Sequence, residues 1–374
     1  MNVYGKIDEK QEESHYQDWS VPEKREGTPI PFFSIMLWSL VATAISVVLP
    51  FIFGLVSPQQ TQDLYTGWAL HQNGQMYTDY FGTNGLLYYL LTYLSLGSIL
   101  LALVEWLALF GAGVFLFKSA DALTGQVEEA KKLVFVFYLL VAGLAFGGGY
   151  ALLLALPFLF YSLSVVTNYL AYPNDDKGFV RVGMSLALAF FLAPIPTTLF
   201  AAVLALGIIG FNLGKGHFVH GLYQFFASAL GFSLLFYPLG YYTVWTGSFG
   251  DAISQTLYPV NTLSLFSNSH LLENAAFYGL LAVGLGSLGL LFTGLFQSKP
   301  AKQYALSIAA SLGLLVSLGI LILSNEPVNG TRLVILLPFL VLLLLTGIKE
   351  TASEGGNRRR RREKKASFIK GNFY

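Results

Sequence analysis

The chain is 374 residues long, 54% hydrophobic and only 11% charged, with a mean hydropathy of +0.59. A soluble domain carries about 25% charged residues, so this composition excludes an ordinary soluble core and points to the membrane class. The formal net charge of +1 says nothing about partners, and the lack of cysteine excludes disulfides, thiolate chemistry and Cys-ligated metals.

Residues 1–30 are polar and mixed in charge and read as a flexible cytoplasmic arm. That stretch is too long for a cleavable signal peptide and lacks a cleavage site after a short apolar core. The apolar runs then predict an all-α polytopic membrane protein of about ten transmembrane helices: 31–56, 97–118, 132–147, 149–171, 179–193, 196–214, 220–241, 276–296, 303–324 and 331–348. The run from Leu133 to Ala171 is about 58 Å long as a helix, enough for two crossings of a core about 30 Å thick. Gly147-Gly148-Gly149 supplies its turn, and Pro194 and Pro196 divide the next run.

Charge fixes the parity. Lys118, Lys131 and Lys132 precede the first double run, Lys177 and Arg181 follow it, and Lys215 follows the second. With these segments on one side, all of the 22 Lys and Arg residues except Arg332 share a face, and the positive-inside rule makes the expected location a plasma membrane with both termini cytoplasmic. Two long outward connections result, 57–96 and 242–275, with tight ones at Gly148, at Pro194–Pro196 and at Asn325–Gly330. The tail, 349–374, carries Arg358 to Arg362 with Lys364 and Lys365. It reads as an anchor to anionic lipid at about 1 kcal/mol per residue, not as a nucleic-acid site. No soluble C-terminal domain is expected after the last span. His217 and His220 are two ligands where a metal site needs three or four.

Any chemistry is expected in the first connection. Asp63 follows the first span and precedes Tyr65 and Trp68, which could form a platform for a sugar. A carboxylate there, partly desolvated at the membrane surface, suits a general base on an acceptor hydroxyl; the alternative is a solvated loop acid. Asp79, within Tyr77-Thr78-Asp79-Tyr80-Phe81, suits loop organisation or a phosphate-bound divalent metal; no other cofactor is expected. Glu105 lies about 12 Å inside the second span, a depth at which an ionisable group is functional or paired. Tyr88, Trp245 and the outward cation Arg332 complete the candidate substrate contacts, although most of the aromatic residues belong to an interfacial belt.

The order of these residues resembles the start of the GT-C glycosyltransferases, family 39 and its bacterial relatives. The stretches that carry the resemblance are Asp63, then Gly74-Gln75-Met76-Tyr77-Thr78-Asp79-Tyr80-Phe81, then Gly85-Leu86-Leu87-Tyr88-Tyr89-Leu90-Leu91. Ala193-Pro194 and Tyr241 to Phe249 extend it to roughly residues 31–260. Leu64 stands where the family has a second acid, and Asn84-Gly85 where it has Pro. The resemblance implies a GT-C-like fold and an enzyme that moves a sugar from a polyprenyl-phosphate carrier to an envelope glycan or glycolipid at the outer face. Asp63 is the base it implies, supported by Asp79, Glu105 and Tyr77. A non-catalytic GT-C-like protein that binds lipid-linked glycans is the alternative. A lipid-glycan transporter ranks below both, because no matching half with a second broken helix is found. Asp63, Arg332 and the 242–275 connection meeting at one cavity would favour catalysis; a cavity without a carboxylate would favour the binding protein.

Overall fold

The computed structural model describes residues 28–72, 74–95, 100–173, 177–293 and 301–348, with the backbone alone at 59, 63, 64, 285–293 and 301–302. The expected arm, apart from residues 28–30, and the expected tail lie outside the described residues. In chain order the helices are α1 (Phe32–Thr43), continued through a π-turn (Ala44–Val48) into α2 (Leu49–Phe53), α3 (Pro58–Leu70), α4 (Leu86–Leu94), α5 (Leu100–Thr124), α6 (Val127–Leu144) and α7 (Ala151–Ala171). There follow α8 (Phe179–Phe190), α9 (Pro194–Gly214), α10 (Phe218–Trp245), α11 (Phe249–Thr256), α12 (Tyr258–Asn261), α13 (Leu271–Thr293), α14 (Ala301–Leu323), a 3₁₀ segment (Gly330–Leu336) and α15 (Leu337–Gly347). The described residues form no strand, only two isolated bridges.

Seven helices among the described residues are long and apolar enough to cross a membrane: Phe32–Phe53, α5, α7, α9, α10, Gln303–Leu323 and Gly330–Gly347. Two shorter apolar helices, Phe179–Phe190 and Leu271–Gly284, stand among them. The chain is therefore an all-helical, multi-pass membrane protein.

Two breaks fall where glycine and proline put them. Gly147, Gly148 and Gly149 all have left-handed φ, at 103°, 68° and 74°, and turn α6 into α7. Pro194 opens α9 at the first helical position, where a missing N–H costs nothing. The long connections 57–96 and 242–275 are built largely from helices, α3 and α4 in the first and α11, α12 and the start of α13 in the second. Ser57 caps α3, its Oγ accepting from the Gln60 amide at 3.0 Å, with Pro58 at the first helical position.

Proline also explains how the first span meets the glycine turn. Pro50 has no N–H to give the carbonyl four residues back, which belongs to Ser46. The Gly147 amide donates to that carbonyl at 2.9 Å instead, and the Ser57 amide donates to the Gly147 carbonyl at 3.3 Å. The end of the first span, the start of α3 and the α6–α7 turn are thus one assembly.

Where helices pack in lipid, small residues let backbones approach. Gly183 of α8 faces the Ser228 carbonyl of α10, and Gly231 of α10 faces the Val180 carbonyl of α8. Gly113 of α5 lies flush against the hydroxyl end of Tyr138, whose O–H donates to the Leu109 carbonyl at 3.0 Å. At the end of the bundle opposite α3 and α4, Tyr169 donates to Asn212 Oδ1 at 2.7 Å and Asn212 Nδ2 to Gln224 Oε1 at 3.3 Å, joining α7, α9 and α10.

Candidate functional site

The site is built from α3, α4 and the turn between them. Gly67 of α3 sits on α4, where an added Cβ would come within 2.8 Å of the Thr92 carbonyl oxygen. Beyond α3 the His71 ring stacks on Tyr93, with centroids 3.9 Å apart, and its Nε2 lies 2.7 Å from the Tyr93 carbonyl. In the turn, Asp79 Oδ2 accepts from the Gln75 amide at 2.7 Å, and the Tyr77 amide donates to the Tyr80 carbonyl at 3.0 Å. Tyr77 takes a left-handed φ of 68°, which is uncommon for a residue with a Cβ. Its side chain is buried, and its hydroxyl donates to the Asn84 carbonyl at 2.8 Å. Burial pushes the Tyr77 hydroxyl above the ordinary tyrosine range, so it stays a neutral donor.

The second connection clamps this turn. Gln255 of α11 spans it with one carboxamide: Nε2 donates to the Tyr77 carbonyl at 2.7 Å, and Oε1 accepts from the Gly82 amide at 2.9 Å. Gln75 Nε2 donates to the Thr246 carbonyl at 2.8 Å, and Phe81 meets Tyr258 edge-on at 5.4 Å. Gln255→Ala removes both Gln255 bonds, an expected loss of about 2 kcal/mol at roughly 1 kcal/mol per bond. Hydrogen exchange checks this: amides of residues 74–85 should lose protection while those of α5 and α7 keep it.

Between the turn, α4 and α10 lies a cavity of about 470 Å³. Leu70 and Met76 line one side, Leu86, Tyr89 and Tyr93 a second, and Leu239 and Tyr242 of α10 a third. Among the described residues no Asp, Glu, Lys, Arg or His lines it. Its surface is hydrocarbon with tyrosine rings, the combination that suits an apolar chain ending in a group that stacks and accepts hydrogen bonds.

Among the described side chains, Tyr65, Trp68, Tyr77, Asp79, Tyr88, Glu105, Trp245 and Arg332 are not in the lining of this cavity. Asp63 stands in the second turn of α3; its side chain lies outside the described residues. Tyr65 and Trp68 are exposed and pack on each other at 5.9 Å, away from the cavity lining. Tyr88 is buried and donates to the Gly149 carbonyl at 2.7 Å. Trp245, 75% exposed, ends α10 outside the lining. Arg332 is paired with Glu326 and donates to Ser324 Oγ at 2.9 Å, among residues of the α14–α15 connection. Glu105 is fully buried and accepts from the Gly149 amide at 3.2 Å. Arg332 is not in the lining of this cavity; the 242–275 segment reaches the site through Thr246, Gln255 and Tyr258, and the cavity through Tyr242.

Sequence reasoning passed over Gln255 and Leu239. Leu239 and Tyr242 share a helical face at i and i+3, a signal that was readable once α10 was extended past residue 241. Gln255 gave none, because its partners are backbone groups far away in sequence. Among the described residues no group of three or more His, Cys, Asp or Glu could hold a metal ion.

Neither the comparison with curated proteins nor that with solved structures gives a match. The family model described as "Putative competence-induced protein Ccs4 N-terminal domain" matches residues 23–374. It spans nearly the whole chain and includes the two clamped connections, and the protein belongs to that competence-induced Ccs4 N-terminal domain family.

Proposed function

We propose that this is a ten-crossing protein of the plasma membrane, with both termini cytoplasmic, that binds a lipid-linked glycan on a polyprenyl-phosphate carrier at the outer face. The observation that carries this reading is the cavity of about 470 Å³ between α4 and α10, walled by Leu and Met and edged by tyrosine. Hydrocarbon belongs against such walls, and a sugar ring stacks on tyrosine at the wet edge. Among the described residues the lining offers a carrier phosphate no cation, and Arg332 is engaged by Glu326. The phosphate therefore stays at the aqueous mouth, where hydration offsets its charge.

Transfer of the sugar to an envelope acceptor is a second reading, GT-C-like in kind. It is favoured by two short helices, α3 and α4, set between the first two long ones, and by the place of Asp63 on α3. Asp63 precedes the cavity residue Leu70 by two turns, about 10 Å along the same helix. In this reading Asp63 is the general base on the acceptor hydroxyl.

The test uses the full chain in nanodiscs with a polyprenyl-phosphate sugar as probe, detected by native mass spectrometry. Leu239→Trp fills the cavity and should weaken binding about tenfold, roughly 1.4 kcal/mol. Val219→Trp, on an exposed position at the start of α10, should leave it unchanged. Equal binding by wild type and Leu239→Trp, or no binding by wild type, rejects the proposal. Asp63→Asn separates the readings: binding kept with sugar transfer lost assigns catalysis, and no transfer by wild type in cells expressing competence functions leaves binding alone.

A further inference from the structure

Glu105 is 0% exposed on α5, and Gln60 is 4% exposed on α3. Each carries a buried oxygen with no hydrogen-bond partner, Oε2 of Glu105 and Oε1 of Gln60. Both side chains press on the same glycine turn. Glu105 Oε1 accepts from the Gly149 amide at 3.2 Å. A Cβ on Gly149 would lie 2.9 Å from Gln60 Cα, and one on Gly148 would lie 3.1 Å from Gln60 Oε1.

The donors recorded around the turn are already committed. Tyr88 donates to the Gly149 carbonyl at 2.7 Å, Ser57 to the Gly148 carbonyl at 3.3 Å and Tyr150 to the Phe146 carbonyl at 3.3 Å. Tyr88 and Tyr150 are the titratable groups at this turn, and burial pushes the Tyr150 hydroxyl above the ordinary tyrosine range. No ion pair to Glu105 is recorded among the described residues, and Arg332 is held by Glu326. An ionised carboxylate here would be a buried charge without a counter-ion, the costliest arrangement a membrane-depth acid can take. One proton removes the charge and supplies the missing donor.

We infer that Glu105 is a neutral carboxylic acid whose Oε2–H is donated to Gln60 Oε1, fastening the start of α3 to α5 across the three-glycine turn. Glu105 is in this sense a positioning residue: it fixes the helix that carries Asp63 and Leu70. The inference stands whether or not the cavity takes a glycan carrier.

Infrared difference spectra of the purified full chain in detergent test it. Wild type should show a carboxylic-acid C=O band that shifts in D₂O and is absent in Glu105→Gln. A carboxamide keeps a donor in the same shape, so the Tm of Glu105→Gln should stay within about 2 °C of wild type. Gln60→Leu removes the acceptor, so the acid band should move to higher frequency and Tm should fall by about 5 °C. A carboxylate band lost in Glu105→Gln in place of an acid band overturns the proposal, and would mean that the Gln60 carboxamide is turned to donate to a charged Glu105. An acid band unmoved in Gln60→Leu overturns the pairing, and that readout holds even where Glu105→Gln fails to fold.

Discussion

Gly85→Val should detach the α3–α4 assembly from the bundle. The Gly85 amide donates to the Leu192 carbonyl at 3.0 Å, and the Leu87 amide to the Phe191 carbonyl at 2.8 Å. These two bonds seat the start of α4 on the end of α8. Gly85 has φ −79° and ψ 161°, which any residue adopts, so the demand for glycine is steric and not conformational. A Cβ there would run into the Phe191 carbonyl and stand 2.8 Å from the Phe191 Cα. Backbone on backbone leaves nothing to swing aside. Two bonds at about 1 kcal/mol each plus overpacking of about 2 kcal/mol give a loss near 4 kcal/mol, a Tm drop of about 8 °C. Scanning calorimetry in detergent checks the drop, and exchange protection should vanish over 85–94 first. A Tm within 2 °C of wild type would show that this seat is not where the assembly is held.

Gly183→Val and Gly231→Val should each part α8 from α10, and the pair should cost little more than either alone. Each glycine faces a carbonyl of the other helix, Gly183 that of Ser228 and Gly231 that of Val180. A side chain at one site forces the helices apart, and the second site then has room. Apolar surface exposed by the separation meets lipid, so the loss is of van der Waals contact and not of burial from water. About 3 kcal/mol for each single change is the expected size, with an interaction term of similar magnitude and opposite sign in the double-mutant cycle. Additive losses would reject a shared crossing. The same crossing walls an apolar cavity of about 240 Å³ lined by Gly183, Ala205, Ser228 and Phe232, which should widen in both variants.

The breaks in the bundle were readable because glycine and proline act on their own backbone. Gly147–Gly149 and Pro194 needed no distant partner to be recognised. The helices α3 and α4 were hidden in a stretch read as loop: Ser57-Pro58 is a helix start, but the residues after it are polar and aromatic rather than apolar on one stripe. Tyr65 and Trp68 have the composition of a sugar platform. Only the helix phase shows that they project outward while Thr66 and Ala69 are buried. The cavity could not be read at all, since its walls come from residues near 70–93 and near 238–242, joined by Gln255 and Gln75 through backbone atoms. The depth of Glu105 was readable; its contact with Gly149, 44 residues on, was not.

The Gly147 amide on the Ser46 carbonyl has a consequence for biogenesis. Translation runs at about 5–20 residues per second, so the donor leaves the ribosome some 5–20 seconds after its acceptor. Through that interval the nascent leading helix has Pro50 but not the amide that compensates for it. The Ser46 carbonyl gains this donor only when the α6–α7 turn arrives.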